Sequence, residues 1–435
     1  MDGTTISRQR DDKLDLNAKP PLDVSELDPT LVERIGSSLF QPWMLRVLRS
    51  VCPIIRFNDL LFVTRYEDVR AVIEHDRVFH VEGARIAEAN GGPNFVLGMQ
   101  DDQGCPYHRL AGRSPVGTEY PYRNYQSLVL KHFALEDTET LRGIMRRTAE
   151  AAVGQRLHMD AIGELITPVT IAVCREYYGV NVGTTPAEES DFANTSFAVS
   201  RWLFDPFQSS RFRNLALTAS VRLNRIVERS IDLAPHDARD TIIRRMLDAN
   251  VPREQIRVIV VGMILGFVPT STLGAGNILQ VLIERREAFE AAQAAVRAED
   301  DVRLERCLFE AFRFKPLVRE PLRVCQETFT LSEGTWHKRT LRRGQRLIAL
   351  TTSAMMDESH VQNPKKFDPD RPPHQRFLYG SGLHRCIGAP IATLHILESL
   401  RPLLKARGIR QLKDNGGMKA YLGPFHKHLL VELMR

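Results

Sequence analysis

Apolar residues recur at three- and four-residue steps along most of this chain, the spacing of one face of an α-helix. From 387 to 404 the row is Ile387, Ile391, Leu394, Leu397, Leu400 and Leu404. From 141 to 153 it is Leu141, Met145, Ala149 and Val153, and residues 137–249 read as mostly helical. Residues 254–288 differ in kind. Ile256, Ile259, Val260, Met263, Ile264, Phe267, Leu273 and Ile278 crowd most faces, which predicts one long helix buried nearly all round. Residues 304–316 predict a further helix that stops at Pro316. Strand signals are short. A β-prone run from Leu61 leads into a helix with Asp68 near its start, residues 328–350 alternate around Gly334 and Gly344, and 422–432 read as a final hairpin. Residues 76–125 have frequent glycine and proline and no clear period; such long irregular stretches tend to be functional or disordered. The expected class is mainly α with small β-sheets (α+β). Neither repeat nor low-complexity linker is visible, so a polar tail over 1–25 and a single domain over 26–435 are expected.

Composition changes this picture little. The chain has 435 residues, 43% hydrophobic and 26% charged, an ordinary globular mixture able to bury a large core. Its 59 basic and 53 acidic side chains leave +6, too mild a charge to imply nucleic acid without a clustered patch. A basic face would suit an acidic electron-transfer protein. The six cysteines show no paired spacing, so neither disulfides nor zinc are indicated and a reducing compartment is expected. The polar N-terminus predicts no membrane anchor and a cytoplasmic location.

The chemistry concentrates in residues 377–390, Phe-Leu-Tyr-Gly-Ser-Gly-Leu-His-Arg-Cys-Ile-Gly-Ala-Pro. Cys386 lies in a glycine-loosened loop just before the helical row that starts at Ile387. A cysteine there meets the positive end of the helix dipole and unpaired N–H groups, which favour its thiolate. Taken as Tyr379-Gly380-Ser381-Gly382-Leu383-His384-Arg385-Cys386-Ile387-Gly388, the string resembles the haem-binding loop of the cytochrome P-450 family, with Tyr379 where that loop starts with Phe. Two more stretches share the resemblance. Glu310 and Arg313 match the family's Glu-x-x-Arg helix, and Arg371 in Phe367-Asp368-Pro369-Asp370-Arg371 matches the third member of its charge cluster.

The resemblance implies a buried haem b (iron protoporphyrin IX) under the long central helix, with Cys386 as axial ligand of the iron. It implies Tyr379, Gly380 and Gly388 around the macrocycle, and Arg323, His384 and His108 as candidates for the haem propionates. It implies a structural role for Glu310, Arg313 and Arg371. On the oxygen side the family carries an acid followed by a threonine. Here Thr270 matches and Pro269 stands where the acid would be. A proline inside a helix removes one N–H and clashes with the carbonyl four residues earlier, so a kink and a free Leu265 carbonyl are expected. Thr270 is either catalytic or bonded back to its own helix. The aromatic residues Phe192, Phe197, Trp202, Phe204 and Phe207 form either core or an apolar channel.

Two activities follow. One is a monooxygenase that inserts one oxygen atom from O2 into an apolar small molecule, with electrons from a separate ferredoxin or flavodoxin. The other, suggested by Pro269, is a peroxide-driven peroxygenase or fatty-acid hydroperoxide isomerase that needs no electron donor. A non-catalytic haem-binding sensor is the remote alternative.

Overall fold

The computed structural model describes residues 42–57, 60–80, 131–133, 137–203, 210–317, 321–382, 385–412 and 428–434. In chain order these form α1 (Pro42–Val51), β1 (Ile54–Phe57), β2 (Leu60–Val63), α2 (Tyr66–Glu74), β3 (Phe79–His80), α3 (Thr138–Val153), β4 (His158–Asp160), α4 (Thr167–Val173), α5 (Pro186–Leu203), α6 (Ser210–Leu233) and α7 (Ile242–Asp248). Then follow α8 (Arg253–Glu284), α9 (Arg286–Arg297), α10 (Asp301–Phe314), β5 (Leu322–Cys325), β6 (Phe329–Leu331), β7 (Arg339–Leu341), β8 (Arg346–Ala349), α11 (Thr351–Ala354), α12 (Ala389–Leu404), β9 (Gly408–Gln411) and β10 (Leu430–Met434). The architecture is mainly α with small sheets, as the periodicities predict. His108 and His384 fall outside the described residues, as do the tail over 1–25 and the irregular stretch beyond residue 80.

The largest sheet has the order β1-β2-β8-β5-β3. Alternation along its central strands decides what covers each face. Leu61, Val63, Leu347 and Ala349 point to the α2 side with Val69, Val72 and Ile73. Leu60, Ile348 and Leu350 point the other way and take Leu45 of α1. The 328–350 region is split: β6 pairs with β7, whereas β8 joins the large sheet parallel to β2. At the C-terminus the strand partners are β9 and β10, antiparallel, with β4 on the outer edge of β10.

Helix α8 runs through the main core. Among the described residues it is the one helix long and apolar enough to cross a membrane, and most of it is buried in protein. It ends at Glu284, short of the expected residue 288. Arg285 turns extended (φ −121°, ψ 99°) and its guanidinium lies 3.9 Å from the Phe314 ring centre. That cation–π contact accompanies a break in a charged stretch without glycine or proline. Gly276 and Gly274 allow close approach on two sides, where an added Cβ would stand 3.2 Å from Ile162 and 3.4 Å from Phe312.

Helix α12 packs against α3 and α8. Its Glu398 is fully buried and takes Arg142 Nη1 at 2.6 Å and Arg146 Nε at 2.9 Å, both from α3. A buried carboxylate needs such partners, and removing one side would leave an uncompensated charge. One turn earlier, His395 is fully buried. Its Nε2 faces the Ile166 carbonyl at 3.3 Å and its ring meets Phe267 of α8 edge-on at 5.5 Å. Burial pushes its pKa down to about 4.

His395 therefore stays neutral in the fold at pH values where the unfolded chain protonates it. Between the usual value near 6.5 and 4 the unfolded chain binds more protons, so stability falls as pH drops through that window, by up to about 3 kcal/mol. Chemical denaturation at pH 7 and at pH 4.5 should show a smaller pH-dependent loss in His395→Met than in the native chain. An equal loss in both would refute the assignment.

Candidate functional site

Cys386 stands at the entrance to α12, one residue pair before its first turn. Its own N–H donates to the Tyr379 carbonyl at 2.8 Å, closing the loop. The amides of Gly388 and Ala389 are aimed at Sγ. Burial pushes the thiol up, while those two amides and Arg385 pull it down. The residue is nevertheless exposed by area, and Ile387 beside it is 38% exposed. The sulfur is desolvated yet accessible, the setting in which a metal, rather than water, would stabilise the thiolate.

Loop conformation explains the glycines. Gly380 and Gly382 have φ of 69° and 68°, the left-handed region that costs other residues most. An added Cβ at Gly382 would also lie 2.7 Å from Asp76 Oδ2. Ser381 Oγ donates to Glu74 Oε1 at 2.9 Å, so the loop is tied to the end of α2. Tyr379 packs its ring 5.5 Å from Phe309 of α10 and pairs its hydroxyl with Thr393 Oγ1 at 3.1 Å. It braces α10 against α12.

Arg323 on β5 comes to the same neighbourhood through Asp76, which lies against Gly382 and acts electrostatically on Arg323. Arg323 is 7% exposed, bonds only the Leu322 carbonyl (3.0 Å) among the hydrogen bonds resolved, and leaves Nε without a partner. Burial drives its pKa down to about 10. With Asp76 as its nearby charge and Nε without a hydrogen-bond partner, the buried guanidinium is incompletely satisfied, which is costly unless a further acceptor completes it. This fits the carboxylate of a bound group, which Arg grips in a two-pronged fashion.

Behind the loop, Glu310, Arg313 and Arg371 meet as the sequence suggests. Arg313 Nη2 reaches Glu310 Oε1 at 2.7 Å and Arg371 Nε reaches the same oxygen at 3.1 Å. Both arginines then hold backbone: Arg313 donates to the carbonyls of Met355 (3.1 Å) and Pro364 (2.7 Å), and Arg371 to that of Gln362 (2.9 Å). Arg376, which the sequence reading missed, adds a fourth charge at 3.9 Å from Glu310. It sits one residue before the haem-loop stretch and carries no motif of its own.

On α8, every residue from 258 to 282 is buried except Gly262, Met263, Gly266 and Thr270. These four span an arc of about 100° at 3.6 residues per turn. They form a narrow open stripe on an otherwise enclosed helix. The Thr270 hydroxyl bonds back to the Gly266 carbonyl, the local alternative open to a helical threonine. Pro269 is buried, and α8 continues through it. The expected free carbonyl is not free: Ser200 Oγ of α5 donates to Leu265 O at 3.2 Å. Of the aromatic run, Phe192 and Trp202 are 1% and 2% exposed and belong to the core. Phe204 and Phe207 lie outside the described residues. A surface recess lined by Arg175 and Arg239 and another lined by Arg56 and Arg339 touch neither Cys386, Arg323 nor the α8 stripe.

Comparison with known proteins bears on family and fold. A model described as Cytochrome P450 matches residues 189–406, half of the chain. Mycinamicin IV hydroxylase/epoxidase of Micromonospora griseorubida is 24% identical over 386 residues, covering 83% of this chain and 87% of that protein. Erythromycin C-12 hydroxylase of Saccharopolyspora erythraea is 26% identical over 365 residues, 80% and 81% of the two chains. Among solved structures, CalO2 superposes with a TM-score of 0.73 at 20% identity, over 94% of this chain and 98% of that one. At that identity the superposition speaks for the fold alone. The chain belongs to the cytochrome P450 family of monooxygenases.

Proposed function

We propose that this enzyme inserts one atom of O2 into an apolar small molecule, with haem b held by Cys386, Arg323 and the loop glycines. The observation that carries the proposal is a desolvated, accessible Cys386 sulfur in a loop whose Gly382 lies against Asp76, the carboxylate that acts on the buried Arg323 guanidinium with its idle Nε. The residues fit the group. A thiolate suits an iron, an orphaned guanidinium suits a propionate, and the Gly388 and Ala389 amides moderate the sulfur's charge. Bound haem supplies the iron and the electron chemistry that splits dioxygen, with two electrons from a ferredoxin or flavodoxin and two protons leaving one oxygen in the product and one in water.

The chain's own contribution is position and polarity. Glu310, Arg313 and Arg371 fix the segment leading into the loop. The α8 stripe, with Gly262 and Gly266 lacking side chains, leaves room for a substrate beside Thr270. Thr270 would hold a proton at Oγ1 for the oxygen side once it releases the Gly266 carbonyl. Relatives named as hydroxylases and epoxidases support insertion into an organic molecule.

One observation favours a second reading. With Pro269 at the acid position and the Thr270 hydroxyl turned to Gly266, no carboxyl on this turn can relay a proton. A peroxide-driven reaction would not need that relay. Two oxidant supplies on one apolar substrate panel separate the readings: O2 with a surrogate ferredoxin, its reductase and NADPH, or hydrogen peroxide alone. Product in the first arm is expected, with Pro269→Asp raising that arm relative to the second. Product only in the second arm would replace the monooxygenase reading.

Two variants test the haem site itself. Cys386→His should retain haem yet lose the red-shifted thiolate band of the reduced carbon monoxide complex; a retained band would exonerate Cys386. Arg323→Met should weaken haem retention while making the haem-free chain more stable by about 1–3 kcal/mol, because a buried bare cation is removed. Its folded pKa lies below the unfolded value, so the native haem-free chain should gain stability as pH rises through 10, and the variant should not. Haem titration and chemical denaturation decide this; a destabilised haem-free variant would show that Arg323 already has its partner within the protein.

A further inference from the structure

Pro269 cannot donate to the carbonyl four residues earlier. That carbonyl belongs to Leu265, whose side chain is 3% exposed. A buried carbonyl without a donor carries a desolvation penalty, so the chain must find a donor elsewhere. It finds Ser200, wholly buried on α5, at 3.2 Å. Neighbouring hydroxyls on the same helix behave otherwise. Thr195 and Ser196 each bond back to a carbonyl four residues earlier, those of Asp191 and Phe192, the ordinary habit of a helical hydroxyl. Ser200 instead reaches across to another helix, 65 residues away in sequence. The next carbonyl along α8, Gly266 O, receives Thr270 Oγ1. Two successive carbonyls on this turn thus take side-chain hydroxyls, one from inside the helix and one from α5.

We infer that Ser200 is a positioning residue that supplies the hydrogen bond Pro269 cannot, latching the end of α5 onto the turn of α8 that carries Gly266 and Thr270. The inference rests on the reading of the α8 stripe as the open side of the haem. Helix α5 cannot lift from α8 at residue 200 without stranding a buried carbonyl. The coupling belongs to the pair: with a residue bearing an N–H at 269, the Leu265 carbonyl would be satisfied within α8 and Ser200 would be dispensable. The latch restrains the opening of the space beside the stripe, so it governs passage of bulky molecules more than of small ones.

A double-mutant cycle on the holoprotein tests this: native, Ser200→Ala, Pro269→Ala and the double variant. Amide hydrogen exchange over residues 196–203 is the first readout. Ser200→Ala should speed it about tenfold in the native background, the worth of one buried hydrogen bond, and leave it unchanged in the Pro269→Ala background. Equal acceleration in both backgrounds, or none in the native one, overturns the inference. The second readout is ligand entry, followed by the shift of the haem absorption. Ser200→Ala should speed association of 4-phenylimidazole severalfold, leave cyanide unaffected, and be reversed in Ser200→Thr. An equal effect on both ligands would mean general loosening and also overturns the latch. Absence of any haem shift in the native protein would instead sink the haem reading, and the exchange cycle would still report on Ser200.

Discussion

The buried charge cluster on Glu310 is the constraint from which the site follows. Its carboxylate, with no exposure, sits between Arg313 and Arg371, and Arg376 stands behind. Ions taken from water need well-placed opposite charges and further hydrogen bonds. Here the remaining donors of both arginines go to backbone carbonyls at 355, 362 and 364. The stretches at 355, 362–364 and 371 are thereby pinned to α10, and the chain leaves them at residue 377 with its course determined. Everything the Cys386 loop does depends on that fixed departure and on the equally fixed α12 that receives it, held by Glu398 against α3.

Around the loop, two polar groups are left incompletely satisfied. Arg323 is buried with an idle Nε, and the sulfur is desolvated with the Gly388 and Ala389 amides turned toward it. Polar groups are rarely left so in a protein interior. On the proposed reading, a cationic side chain and a thiol await an anionic, metal-bearing ligand, and the charge cluster and α12 hold that cost in place.

Much of this was legible in the sequence. The meeting of Glu310, Arg313 and Arg371 and the place of Cys386 just before α12 follow from short local patterns, and the long apolar run marks α8 to within a few residues. What was illegible acts across long separations. Ser381 meets Glu74, Gly382 meets Asp76, and Ser200 meets Leu265, each through a contact that no local spacing encodes. Pro269 was visible as an anomaly, yet its consequence was not: the carbonyl expected to be free is claimed by a serine on another helix. The aromatic run at 192–207 was ambiguous because core and channel use the same residues, and burial of Phe192 and Trp202 assigns those two to the core. The break at Arg285 comes with a contact to the distant ring of Phe314.

The central claim is that the Cys386 sulfur binds the haem iron. Iron-edge X-ray absorption of the ferric holoprotein addresses it most directly, since the fine structure reports which atoms surround the metal. One sulfur among otherwise nitrogen and oxygen neighbours is the predicted shell. A shell of nitrogen and oxygen alone would contradict the account and leave the loop without its proposed purpose.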